Sequence, residues 1–101
     1  MITADFAILP VGIDDTELKE YVRRAVQVVK DSGLTYQLTA MGTLIEAQNY
    51  EELYKTIAKA QQAVFKDDIK RVYTVIKIDD RRDHDDHTLN GKVQRVDEIL
   101  K

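Results

Sequence analysis

No cysteine occurs among the 101 residues. That excludes disulfides, thiolate metal centres and cysteine nucleophiles together, and it fits a reducing compartment. A single proline and four glycines are too few for a linker-rich or disordered chain. The glycines are scattered, so no phosphate-cradling loop can be assembled, and no nucleophile elbow is present. No apolar run approaches the ~20 residues of a membrane span. Basic residues are spread along a chain of net charge −3, which leaves no block suited to nucleic acid. The opening stretch MITADFAILPVG carries an acid and has no basic lead-in. It reads as a first strand rather than an export signal, and a cytoplasmic location follows as the expectation.

What remains is an ordinary globular composition, 44% hydrophobic and 33% charged. The length suits one domain, residues 1–101, that buries roughly two-thirds of its unfolded surface. Residues 2–10 alternate: Ile2, Ala4, Phe6 and Ile8 take one side, and Thr3, Asp5, Ala7 and Leu9 the other. Pro10 and Gly12 end that strand. Asp14 stands three residues before Glu17, a capping-box spacing, and Leu18, Val22, Ala25 and Val29 then form one helical stripe that stops at Ser32-Gly33. YQLTAMGTLIEA, residues 36–47, reads as a hairpin. With Met41-Gly42 as a two-residue turn, Gln37 faces Glu46 and Leu38 faces Ile45; a bulge at Gly42 would instead flip one strand.

Asn49 with Glu52 starts a second helix, whose stripe is Leu53, Ile57, Ala60 and Val64 and whose exit is Lys66-Asp67-Asp68. RVYTVIKID, residues 71–79, is a fourth strand. A charged loop, DDRRDHDDH, leads to a terminal helix with the stripe Leu89, Val93, Val96 and Leu100, its first turn weakened by Gly91. The order βαββαβ predicts an α+β, ferredoxin-like split βαβ fold: a four-stranded antiparallel sheet, both main helices on one face over Phe6, Ile8, Leu38 and Ile45, plus a C-terminal helix.

One sheet face is then left open. It carries Asp5, Ala7 and Leu9, Gln37 and Thr39, Leu44 and Glu46, and Tyr73, Val75 and Lys77. This mixture is too polar for a sealed core and too apolar for a plain wet surface, so a second copy of the chain is expected to cover it. Enclosed polar groups then need partners, and a ligand can be one. Simpler readings stand beside this one. Asp5 can pair with Lys77 across the sheet. Thr43 can satisfy turn backbone groups. Tyr36 and Tyr73 can be core or interface aromatics. His84 and His87, flanked by Asp83, Asp85 and Asp86, have a loose metal-like spacing, but a solvated, internally ion-paired loop is the expectation and no metal site is assigned.

Three stretches, MITADFAILPVG, YQLTAMGTLIEA and RVYTVIKIDDRRDHDDHTLNGKV, together resemble the small ferredoxin-like thiamine-binding proteins, long known only as a conserved hypothetical family. The chain departs from that pattern at Ala47, where the family usually has glycine, and keeps the carboxylate of Glu46 before it. The resemblance implies a non-catalytic homodimer or homotetramer that binds thiamine or its hydroxymethylpyrimidine moiety as a ligand, with no cofactor. The candidate ligand contacts are Glu46, Thr39, Gln37, Asp5, Thr43, Tyr36 and Lys77. A carboxylate can accept from the amino group or balance the thiazolium, and Gln37 and Thr39 can meet ring nitrogens. Tyrosine can supply a flat wall. Two other functions remain in view: a regulatory or assembly subunit without a ligand of its own, and an RNA-binding module, which shares the topology but needs basic flanks and sheet aromatics.

Overall fold

The computed structural model describes residues 1–14, 17–65, 69–84 and 87–100. The element order is β1 (Ile2–Val11), α1 (Lys19–Ser32), β2 (Tyr36–Leu38), β3 (Thr43–Ala47), α2 (Tyr50–Val64), β4 (Arg71–Asp80) and α3 (Leu89–Asp97). The sheet is antiparallel throughout, in the order β2-β3-β1-β4. This is the split βαβ arrangement expected from the sequence.

Strand alternation decides which residues meet the helices. Ile2, Ala4, Phe6 and Ile8 of β1 and Ile45 and Ala47 of β3 are buried against Ala25 and Val29 of α1 and Leu53, Ile57, Ala60 and Val64 of α2. Each of the larger side chains among them, the isoleucines, leucine, valines and Phe6, contributes about 1.5–3 kcal/mol by leaving water. α2 begins as read: the Asn49 side chain accepts from the Glu52 N–H at 2.9 Å. The C-terminal end of α1 also matches, with Gly33 at φ 80°, a left-handed conformation glycine takes cheaply.

Three expectations need correction. α1 does not start from a capping box at Asp14: its first helical residue is Lys19, and Leu18 stands at the N-cap without a side-chain hydrogen bond. The hairpin turn is longer than two residues. β2 ends at Leu38, β3 begins at Thr43, and Gln37 lies opposite Leu44 rather than Glu46. This slip of two residues preserves the faces, because strand alternation has a period of two. It also takes Thr39 out of the sheet. Its hydroxyl donates to the Gly42 carbonyl at 2.8 Å and accepts from the Gly42 N–H at 3.1 Å, closing the loop 39–42; Thr39, not Thr43, satisfies that turn. Finally, Leu38 is not under the helices. It sits on the short edge strand, beside Val22 and Val26 of α1, and stays 55% exposed. The expected exit of α2 at Lys66-Asp67-Asp68 lies outside the described residues.

The ladders have unequal lengths. β1 pairs with β4 over ten residues, Ile2 to Val11, but with β3 only from Ile2 to Phe6. Past Phe6 the sheet therefore has a notch, bounded by β1 on one side and the loop 39–42 on the other.

Candidate functional site

The open face is built from side chains that alternation turns away from the helices. Asp5 lies between Leu44 of β3 and Lys77 of β4, Gln37 lies opposite Leu44, and Glu46 lies opposite Thr3. Four of the residues singled out from the sequence, Asp5, Gln37, Glu46 and Lys77, thus share one surface. Exposed Leu9, Tyr73 and Val75 lie on the same face. Tyr36 and Thr43 do not join them. Tyr36 is opposite Ile45 and packs against the core, and Thr43 is opposite Phe6 and buried on the helix side.

The acids differ in what they touch. Glu46 Oε2 accepts from the Leu89 N–H at 2.7 Å, so this carboxylate meets the positive end of α3. Lys92 Nζ donates to Thr3 Oγ1 and Asp79 Oδ2, both at 2.7 Å. Together they fasten the start of α3 over the N-terminal end of β1, while Val93, Val96 and Leu100 of the expected stripe stay exposed. Asp5, by contrast, is half-buried and makes no hydrogen bond or ion pair among the described residues. The ion pair with Lys77 expected from the register does not form, although the two stand opposite each other. A hollow of about 220 Å³ lies between them, floored by Thr3 and Leu44 and edged by Asp79 and Leu89. Thr3, Asp79 and Lys92 were missed as contributors. The position of Thr3 follows from alternation, but nothing in the local sequence announces that Lys92 reaches across to it.

The α3 anchor makes a prediction. The hydrogen bond from Lys92 holds the Asp79 carboxyl below its usual range. A carboxylate depressed in the folded state stabilises at neutral pH and loses that contribution as pH falls through the range below its unfolded value. Glu46→Ala, or acidification, should therefore release α3 before the sheet. Amide exchange in residues 89–97 should rise about tenfold in Glu46→Ala at neutral pH, with β1 and β3 unchanged. Parallel exchange across both regions would show that α3 is not separately anchored.

The notch holds a second feature. A cavity of about 150 Å³ opens there between Phe6, Ile8, Val22, Val26 and the loop, and Thr43 lines it. Gly42 separates this cavity from Asp5. A Cβ at Gly42 would run into the Asp5 carboxylate and stand 3.1 Å from the Phe6 carbonyl oxygen, so the loop passes this close only because the residue is glycine.

The charged loop carries paired side chains. Arg81 holds Asp83 at about 2 through a bidentate contact, 2.7 and 3.1 Å, and Arg82 contacts Asp80. The rings of His84 and His87 are 5.4 Å apart, but among the described residues no three metal-ligating side chains cluster. Asp85 and Asp86 lie outside the described residues.

Fold and site together define a ferredoxin-like α+β domain with an incompletely covered sheet and a notch beside it. The family model described as "Thiamine-binding protein" matches residues 4–97. A protein of Methanothermobacter thermautotrophicus, named UPF0045 protein, is 43% identical over 99% of this chain and 100% of its own. The crystal structure of the hypothetical protein MJ1052 from Methanocaldococcus jannaschii superposes with a TM-score of 0.85 at 31% identity, covering 97% of both chains. A Thermotoga maritima structure described as a candidate thiamine biosynthesis or salvage protein has a TM-score of 0.79 at 21% identity, a likeness of fold alone. The chain belongs to the thiamine-binding protein family. No helix among the described residues is long and apolar enough to cross a membrane.

Proposed function

We propose that this protein binds thiamine or its hydroxymethylpyrimidine moiety without transforming it, as a cytoplasmic homodimer or homotetramer whose copies cover each other's open sheet faces. The observation that carries the reading is Asp5. A half-buried carboxylate with no partner among the described residues, in a sheet face edged by Leu9, Tyr73 and Val75, is an acceptor waiting for a cation or an amino group. Glu46 is the weaker candidate for that role, since one of its oxygens already serves α3. Gln37 and Lys77 flank the same surface, and Thr39 and Thr43 belong to the notch beside it. Membership of the thiamine-binding family supports the choice of ligand.

The exposed apolar residues support the assembly. Tyr73 and Val75 on the open face, Val93 and Val96 on α3, and Ile99 just after it are each at least half exposed in the single chain. Titration calorimetry on refolded, ligand-free protein tests the binding. Saturable heat with thiamine is expected, and none at millimolar concentration would remove the proposal; with the oligomer intact, that result would favour an assembly subunit. Val75→Arg is expected to shift the sedimentation of the assembly toward smaller species, because a buried unpaired cation opposes sheet-to-sheet packing. Unchanged sedimentation would place the subunit contact elsewhere.

A further inference from the structure

We infer that the outer edge of β4 is a subunit contact: a second copy adds its own β4 antiparallel about Val75, which brings the partner's Tyr73 against Lys77 beside Asp5. The edge contact is independent of the proposed function; the place of the partner's Tyr73 at the ligand surface rests on it.

The unguarded edge is the first argument. β4 ends the sheet order, and its ten residues pair with β1 without interruption. Edge strands are ordinarily kept short, bulged, broken by proline or covered. β2, the opposite edge, has three residues. β4 is long and regular and contains neither proline nor glycine. Met1 and Arg81 exchange hydrogen bonds at the end of the β1–β4 ladder, so odd-numbered residues of β4 turn their main chain toward β1. Val72, Thr74, Ile76 and Ile78 therefore aim their N–H and C=O outward. Among the described residues no backbone hydrogen bond takes them up. Such a row is a template for another strand.

The apolar surround is the second. Tyr73 and Val75 are exposed on the open face of β4, and Ile76 and Ile78 on its helix side. Tyr54, Gln61 and Phe65 share one helical stripe at the rim of α2. Gln61 Oε1 accepts from the Thr74 hydroxyl at 2.6 Å, so that stripe looks toward β4, and its Tyr54 and Phe65 are exposed. Apolar surface thus borders the edge in both layers, sheet and helix.

Register is the third, and it selects a second copy of this chain as the occupant. Under a two-fold axis, residues meet on one face only when their numbers have like parity. Centred on Val75, the pairing sets Arg71 opposite Asp79 of the partner subunit, Val72 opposite the partner's Ile78 and Tyr73 opposite the partner's Lys77. Centred on Thr74, it sets Arg71 against the partner's Lys77; centred on Ile76, against the partner's Arg81. Like charges directly opposite destabilise a strand pair. The Val75 register is the one of these that joins opposite charges, and symmetry makes it do so twice. One row of the open face then reads Leu44, Asp5, Lys77 and the partner's Tyr73. A tyrosine ring beside the Lys77 ammonium holds it by a cation–π contact and leaves the Asp5 carboxylate to a ligand.

The chain has no cysteine, so introduced thiols pair only with one another. Full-length Val75→Cys, treated with oxidised glutathione, should run as a linked dimer on a denaturing gel, because opposed residues of a non-hydrogen-bonded pair stand ~4.5 Å apart at Cα. Tyr73→Cys and Lys77→Cys should each stay single alone and link when mixed. Ile76→Pro removes an outward N–H and leaves the β1 ladder and the open face as they are; it should halve the sedimenting mass. If that variant fails to fold, the thiol pairs decide. Val75→Cys that stays single, or Tyr73→Cys that links to itself, would overturn the edge contact, even where thiamine still binds. A linked Val75→Cys dimer with no thiamine binding by wild type would support the edge contact and remove the proposed function. Tyr73→Leu should weaken thiamine about threefold to tenfold, since Lys77 is then free to pair with Asp5. Unchanged affinity would overturn the partner's Tyr73 as part of the ligand surface.

Discussion

Asp5→Asn is expected to weaken thiamine by about tenfold to a hundredfold while leaving hydroxymethylpyrimidine nearly unchanged. The change keeps the size of the side chain and removes only its charge. In the proposed assembly, where a second copy shields the face, this carboxylate interacts with a fixed cation more strongly than it would in open water. The pyrimidine fragment carries no such cation and has nothing to lose. Because Asp5 makes no ion pair among the described residues, the substitution breaks none, and the melting temperature should hold or rise slightly. This separates a ligand role from a structural one. If Asp5 were a support for the hairpin through its contact with Gly42, the variant would melt earlier and both ligands would weaken together. Calorimetry with the two ligands and a thermal melt distinguish these outcomes.

Leu53→Ala is expected to cost about 2–5 kcal/mol of stability, the range for deleting a large buried side chain. Leu53 is fully buried in the first turn of α2, among the residues that join both helices to the sheet. A domain of this size has only about 5–15 kcal/mol to lose. The midpoint of urea unfolding should fall sharply with little change in slope. A loss below about 1 kcal/mol would mean that the helices rest on the sheet less firmly than the burial pattern implies.

Much of the fold could be read from the chain because burial here is written in simple periods. Ile2, Ala4, Phe6 and Ile8 alternate, and Leu53, Ile57, Ala60 and Val64 keep a helical stripe; both patterns end in the core. Asn49 also caps as its type predicts. Local signals failed where two of them competed. The Asp14–Glu17 spacing resembles a cap, but the helix begins after Leu18. Met41-Gly42 looks like a tight turn, but the Thr39 hydroxyl closes a wider one.

The candidate site was legible in part for the same reason. Alternation put Asp5, Gln37, Glu46 and Lys77 on one face. It could not say that Glu46 would be taken by α3, because that contact joins residues 43 positions apart. Nor could it show the notch, which exists because the β1–β3 ladder is half as long as the β1–β4 ladder. Ladder length is a tertiary outcome, and no single residue encodes it.

The most direct measurement is a crystal structure of the protein grown with thiamine. The account predicts thiamine at the open sheet face, its thiazolium beside Asp5, and the sheet of another copy closing over it. Thiamine lodged instead between α1 and α2, beside Thr56 and Lys59, with the sheet face bare to water, would contradict it.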